Sequence, residues 1–316
     1  MSFSMDMKEE LSGQTGSARH CQIAELSALI STCGGFSLRR DHRLFLVIQS
    51  ENLLVVRKAA MLIRRAFQVT PEISVLGNGD WIKGRLYTLV IPDHEATARV
   101  LGSTRFLSRS GVLRDLSLPV NNLVIQSSCC KRAFLRGAFL GCGSLSDPRK
   151  SYHLEYVCQS PEKAEQIREQ ILSFGIEARI VERKNAQVVY VKESEGIADL
   201  MNVMGAHRSL LDYENIRILR GISGRVNRTV NCETANLNKT ISAAVDQVRD
   251  IETIRDMLGL DQLPEPLRQM AEVRLEYQDT PLKELGQYLD PPVGKSGVNH
   301  RLRKLKQIAE ELRAGS

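Results

Sequence analysis

The sequence predicts an α+β fold. It has a pseudo-symmetric N-terminal domain of two repeats and an all-α C-terminal domain that ends in a helix-turn-helix. Three observations predict this. The order helix, strands, helix, two strands, helix occurs twice, and Cys142 follows Cys33 by 109 residues, a period that fits two pseudo-symmetric halves better than a solenoid. Strand patterns stop after about Gly205. Near the C-terminus a short apolar helix, a Pro-Pro break and a longer basic helix follow one another.

In the first repeat, residues 21–33 (CQIAELSALISTC) place Ile23, Leu26, Leu29 and Ile30 at helical spacing among small residues, and Gly34-Gly35 stops the helix. A strand is expected at 44–49, an amphipathic helix at 52–67, and strands at 73–76 and 86–91. Asp93 is suited to cap a helix running to about Leu101. In the second repeat, residues 129–142 (CCKRAFLRGAFLGC) form the matching helix, which Gly143 ends. Strands follow at 152–158, 176–182 and 187–192. Helices are expected at 161–174, with Pro161 in the first turn, and at 193–204. The domain boundaries are 1–215 for the repeats (about 20–105 and 128–205), 216–235 for a basic linker and 236–316 for the helix-turn-helix domain.

The linker carries Arg217, Arg220, Arg225 and Arg228, and is interrupted by Gly221, Gly224 and several Asn residues. Helices are expected at 236–258, 265–277, 281–289 and 296–312. Thr280 is the expected N-cap and Pro281 the first helical residue of the third, with Leu282, Leu285 and Leu289 on one face. Asp290-Pro291-Pro292 breaks the chain, and Ser296 is the expected cap of the last helix. Val298, Leu302, Leu305, Ala309 and Leu312 then face the core at steps of three and four.

The opposite face presents Asn299, His300, Arg303 and Gln307, flanked by Lys304 and Lys306. Between Pro291 and Gln307 there are five Lys or Arg residues and no acid. A recognition helix needs this combination: short polar groups for base edges and cations for phosphates. Asn299, His300, Arg303 and Gln307 are therefore assigned to bases, and Lys295, Ser296, Arg301, Lys304 and Lys306 to phosphates. Arg220, Arg225 and Arg228 are further candidates for phosphate contacts, set against the plainer reading of a solvated basic stretch.

Composition bounds the alternatives. A chain of 316 residues with 42% hydrophobic residues can bury the cores of two or three domains at roughly 100–200 residues each. No apolar run approaches the length of a membrane-spanning helix, and the opening MSFSMDMKEEL lacks the apolar core of a secretory signal. A cytoplasmic protein with no membrane association is expected. The net charge of +6 permits a nucleic-acid partner without requiring one. Aromatic residues make up 5% and Trp81 is the sole tryptophan, which disfavours a single-strand-binding surface of stacked rings. The seven cysteines include no C-x-x-C pair and are read as reduced thiols, with no metal site and no cofactor expected. Cys129-Cys130 find no complementing ligands in the sequence, and of the six histidines only His300 has a persuasive context. His20, His42, His94, His153 and His207 are assigned to the surface or to structure, and Asp147-Pro148 to a turn. Lys131, Arg132 and Arg136 on the second motif helix either face DNA or serve structure or a partner.

Leu26-Ser27-Ala28-Leu29-Ile30-Ser31-Thr32-Cys33-Gly34 resembles the LAGLIDADG motif of homing endonucleases, and Leu135-Arg136-Gly137-Ala138-Phe139-Leu140-Gly141-Cys142-Gly143 resembles a second copy. The resemblance implies two closely packed helices on a pseudo-twofold axis and flanking saddle-shaped sheets. It also implies that the residue before each last glycine would be a metal-binding acid. Here those positions hold Cys33 and Cys142. Thiols suit Mg²⁺ poorly, so no catalytic residue and no enzyme activity are expected. A surviving nuclease would have to recruit acids from elsewhere, for instance Asp41 or Asp147. Cys33 and Cys142 are inert packing groups or, alternatively, a redox pair.

Over its whole length the chain resembles the WhiA family. The most specific stretches are CCKRAFLRGAFLGCGSLSDP at 129–148, NRTVNCETANLNKT at 227–240 and KSGVNHRLRKLKQIA at 295–309. The resemblance implies a degenerate LAGLIDADG domain joined to a helix-turn-helix similar to sigma-factor region four. It further implies a nucleoid-associated transcription regulator of sporulation and cell division, linked in some bacteria to chromosome segregation, with double-stranded promoter DNA as partner. The alternative is that the first domain binds a protein, such as another transcription factor, or a ligand.

Overall fold

The computed structural model describes residues 2–38, 44–76 and 85–314. Asp41, His42 and Trp81 lie outside the described residues. The chain divides into two compact units, Met1–Gly221 and Ile222–Ser316.

The first unit opens with helix α1 (Phe3–Gly13), which the sequence does not announce because only Met7 and Leu11 are buried along it. The Ser2 side chain accepts a hydrogen bond from the Met5 amide and caps it. The first repeat follows as α2 (Arg19–Cys33), β1 (Gly34–Leu38), β2 (Leu44–Ser50), α3 (Leu53–Phe67), β3 (Glu72–Leu76), β4 (Leu86–Ile91) and α4 (His94–Ser103). The second is α5 (Ser128–Cys142), β5 (Gly143–Leu145), β6 (Leu154–Cys158), α6 (Pro161–Leu172), β7 (Arg179–Arg183), β8 (Ala186–Val191) and α7 (Ser194–Met204). Both four-stranded sheets are antiparallel with the same order, β1-β2-β4-β3 and β5-β6-β8-β7. The repeat in the sequence is therefore a repeat of topology. Asp93 caps α4 through the Ala96 amide at 2.6 Å, and Ser160 caps α6 ahead of Pro161.

Strands β1 and β5 were not legible as strands. Glycine-led GGFSL and GSL have weak strand propensity, but pairing with β2 and β6 supplies the partners that local sequence does not. The strand expected at 176–182 begins later, at Arg179, because Gly175 (φ +78°) still turns the chain after α6. Helices α2 and α5 pack against each other at the centre. Every residue from Ala24 to Ile30 and from Ala133 to Leu140 is buried, as befits helices enclosed on all sides. Small residues permit the approach: a Cβ on Gly137 would lie 2.5 Å from the Glu25 carbonyl oxygen.

The expected linker at 216–235 is helical and lies within α8 (His207–Met257). Gly221, Gly224 and the Asn residues misled the reading. Ile222, Val226, Val230, Leu237 and Ile241 keep a helical period through them, and each internal Gly costs a helix only about 1 kcal/mol. The Glu10 carboxylate accepts hydrogen bonds from the Arg208 and Ser209 amides at 2.7 and 2.8 Å and closes the start of α8.

The second unit continues with α9 (Glu265–Glu276), α10 (Leu282–Leu285) and α11 (Lys295–Ala314). Its separate core joins Ile251 and Ile254 to Leu267, Met270, Leu285, Leu289, Val298, Leu302, Leu305 and Ala309. The helix expected at 281–289 is a single α-turn followed by a 3₁₀ turn over Gly286–Tyr288. Pro281 is its N-cap rather than its first helical residue, and the Thr280 carbonyl instead accepts a bond from Arg274 at 2.7 Å.

Candidate nucleic-acid interface

The turn between α10 and α11 is built around Gly286. Its carbonyl accepts the Val293 amide at 2.9 Å, and a Cβ on it would meet the Val293 carbonyl and approach Val298 Cγ2 to 3.0 Å. Only glycine allows that packing without displacing the backbone. Tyr277 stacks on Tyr288 at 4.3 Å between ring centres. At the far end of α11, Arg313 donates to the Asp250 carboxylate at 2.9 Å and to the Thr253 hydroxyl at 2.8 Å. Helix α11 is thus braced at both ends, with Val298, Leu302, Leu305 and Ala309 buried as the spacing requires and Leu312 partly buried.

Bracing the apolar face determines what faces solvent. His300, Arg303, Lys304, Lys306 and Gln307 are exposed, as are Lys295 and Ser296 at the start. Asn299 and Arg301 are half-buried, and one terminal nitrogen of Arg301 is buried with no hydrogen-bond partner among the described residues. Lys306 lies 3.7 Å from Glu310, one helical turn on. Ser296 is not the cap. The helix begins at Lys295, and the Gly294 carbonyl accepts the Val298 amide at 3.1 Å, leaving Ser296 inside the first turn.

The basic residues of α8 divide. Arg225 and Arg228 are exposed, with Arg228 Nε bonded back to the Gly224 carbonyl at 3.1 Å. Arg220 is engaged within the first unit: it donates to the Pro148 carbonyl and lies 4.6 Å from the centre of the Tyr152 ring.

At the C-terminal ends of α2 and α5 the two motif cysteines sit among thiols and amines. Cys33 Sγ lies 3.8 Å from the Gly141 carbonyl oxygen, and Thr32 donates to it at 3.6 Å. Burial pushes the Cys33 thiol up. A hydrogen bond with Cys158, then burial, pushes Cys142 up. Lys8 and Lys163 approach the same thiols, and Lys163 Nζ donates to the Ser31 carbonyl at 2.7 Å. Neutral thiols beside amines are the wrong donors for a hard divalent cation. Asp147 does not remedy this: its carboxylate accepts the Arg149 amide at 2.9 Å within its own turn, and it lines another cavity with Ser2, Asp6 and Asp212.

Two clusters were missing from the sequence reading. Glu25, fully buried on α2, pairs with Lys58 at 2.9 Å and with Arg136 at 2.9 and 3.0 Å. Lys58 also donates to the Leu11 carbonyl, and Arg136 to the Met204 carbonyl at 3.0 Å. Arg136 is therefore held in the interior between Glu25 and the Met204 carbonyl. The polar residues Glu25 and Arg136 inside otherwise apolar motifs were the available signal. The second cluster surrounds Cys129-Cys130 with side chains that the sequence reading did not connect to them. His20, Cys21, Cys129 and Cys130 bring their ligand atoms within 4.8 Å of one another. No contiguous motif reveals it, because the ligands come from two helices.

Comparison with known proteins is consistent across both units. The family model for the WhiA N-terminal LAGLIDADG-like domain matches residues 19–107, that for the WhiA LAGLIDADG-like domain residues 131–223, and that for the WhiA C-terminal HTH domain residues 226–309. The chain is 48% identical to the probable cell division protein WhiA of Lachnoclostridium phytofermentans, over 99% of this chain and 100% of that protein. It is 46% identical to the probable cell division protein WhiA of Alkaliphilus oremlandii, over 100% and 99%. The crystal structure of full-length DUF199/WhiA from Thermatoga maritima matches with a TM-score of 0.58 at 29% identity, covering 98% of this chain and 99% of that one.

Proposed function

The chain belongs to the WhiA family, and on that premise we propose that it is a transcription regulator of the cell-division type that binds duplex DNA at promoters through α11. Asn299, His300, Arg303 and Gln307 approach base edges in the major groove, while Lys295, Ser296, Lys304 and Lys306 serve phosphates. Arg301 contributes with whatever part of its half-buried side chain remains free. The first domain is a scaffold without nuclease chemistry, because thiols stand where the motif's acids would be. Nucleoid association follows from the DNA contact.

One observation carries the reading. The apolar side of α11 is fixed in the core by Val298, Leu302 and Leu305, so the basic polar side, free of acids through Gln307, is held outward by packing rather than by chance. The test is genome-wide crosslinking of the tagged full chain, followed by footprinting of an enriched promoter. Wild type should protect a discrete site that the Arg303→Ala variant loses. A footprint retained in full by Arg303→Ala overturns the assignment.

A further inference from the structure

The first turns of α2 and α5 meet at the end of the helix pair opposite Cys33 and Cys142. His20 and Cys21 belong to α2, Cys129 and Cys130 to α5. The repeat offset of 109 residues that relates Cys33 to Cys142 also relates His20 to Cys129 and Cys21 to Cys130. The four side chains therefore occupy equivalent positions of the two repeats. His20 Nδ1 lies 3.1 Å from Cys130 Sγ, 3.4 Å from Cys21 Sγ and 4.0 Å from Cys129 Sγ.

We propose that His20, Cys21, Cys129 and Cys130 form a closed tetrahedral site for a zinc ion that clasps the two repeats together. One histidine and three cysteines are a structural zinc donor set. Zinc–sulfur bonds of about 2.3 Å put tetrahedral ligand atoms roughly 3.8 Å apart, a separation these atoms already approach. Borderline-soft zinc suits thiolates as magnesium does not.

The electrostatics agree. Neither helix has a side-chain N-cap bond or an acid in its first turn, so both positive helix ends are left for thiolates to compensate. Two cations close in sequence are engaged elsewhere: Arg19 lies over the Phe67 ring at 5.4 Å and Arg132 over the Phe174 ring at 5.3 Å. Zinc entry replaces three S–H bonds by three Zn–S bonds and releases three protons to solvent, with no change of oxidation state. A cavity lined by His20, Ser103, Arg105, Gln126 and Cys130 gives the ion an entry path.

The test uses the full chain, reduced and stripped with chelator, then titrated with zinc or cobalt. The expected result is one zinc retained per chain through gel filtration, proton release on uptake, and the absorption bands of a tetrahedral cobalt–thiolate centre. His20 and Cys129 are exposed, so the His20→Ala and Cys129→Ser variants should fold as wild type by circular dichroism and lose stoichiometric retention. Cys232→Ser, also exposed and remote in sequence, should keep it. The proposal is overturned if the reduced chain retains no zinc, if retention survives in both site variants, or if a disulfide within the cluster is the stable form and reduction restores no uptake.

Discussion

Gly137 lies against Glu25: a Cβ on the glycine would fall 2.5 Å from the Glu25 carbonyl oxygen and 3.0 Å from Ala28 Cβ. Gly137→Ala must therefore push α5 from α2 and should cost about 1–3 kcal/mol. Gly102, in α4 with nothing within 4 Å of its would-be Cβ, is the control. There Ala should be neutral or stabilising, by up to about 1 kcal/mol. Urea denaturation of the two variants separates crowding from helix propensity.

Glu25 neutralises two cations in the same interior. Glu25→Gln leaves Lys58 and Arg136 without their carboxylate and should cost roughly 3–5 kcal/mol. Burial pulls the Lys58 amine down, and Glu25 is what holds it up. Breaking the exposed Lys306–Glu310 pair with Glu310→Gln should cost about 0–1 kcal/mol. Equal losses in chemical denaturation would contradict the burial argument.

The metal-free protein should lose stability in alkali. The Cys21 thiol is raised from 9.0 to about 12 in the fold. The folded state thus holds a proton that the unfolded chain releases, so this contribution is intact below pH 9.0 and declines as pH rises toward 12. Lys8 and Lys58 act oppositely, since their amines are pulled below 10.5 and their charge penalty is relieved on deprotonation. The difference between wild type and Cys21→Ser isolates the thiol. The wild-type melting temperature should fall more steeply across that interval.

For DNA binding, Lys304→Ala should weaken affinity for all sequences alike and reduce the salt slope by about 1. Arg303→Ala should cost about 1–3 kcal/mol and relax the preference at one base position. Fluorescence anisotropy at several salt concentrations distinguishes them. Indistinguishable behaviour of the two variants would remove the division between base-facing and phosphate-facing residues.

Supercoiled plasmid incubated with the protein and Mg²⁺ or Mn²⁺ should stay uncut, since Cys33 and Cys142 offer neutral thiols beside Lys8 and Lys163. Nicking above a no-protein background would require acids outside the arrangement described for the two motif ends.

Periodicity made the large elements legible. Leu26, Leu29 and Ile30 announced α2, and Val298, Leu302, Leu305 and Ala309 announced which side of α11 is buried. Some failures were local and others depended on distant partners. Strand β1 exists because Gly34–Leu38 pairs with β2, and Ser296 lost the capping role because the Gly294 carbonyl begins the helix earlier. For Glu25, Lys58 and Arg136, and for His20 with the cysteines, each residue taken singly looks ordinary. Only the packing of α2 on α5 gives either group meaning.

That packing has a consequence for the gene as well as for the molecule. A half-length chain carrying either repeat by itself would present Leu26, Leu29 and Ile30, or Leu135, Phe139 and Leu140, as bare hydrocarbon, and in the second repeat Arg136 would lose the Glu25 carboxylate that neutralises it. Each repeat is the other's missing interior, so keeping both in one chain is a condition of solubility, independent of any chemistry at the motif ends.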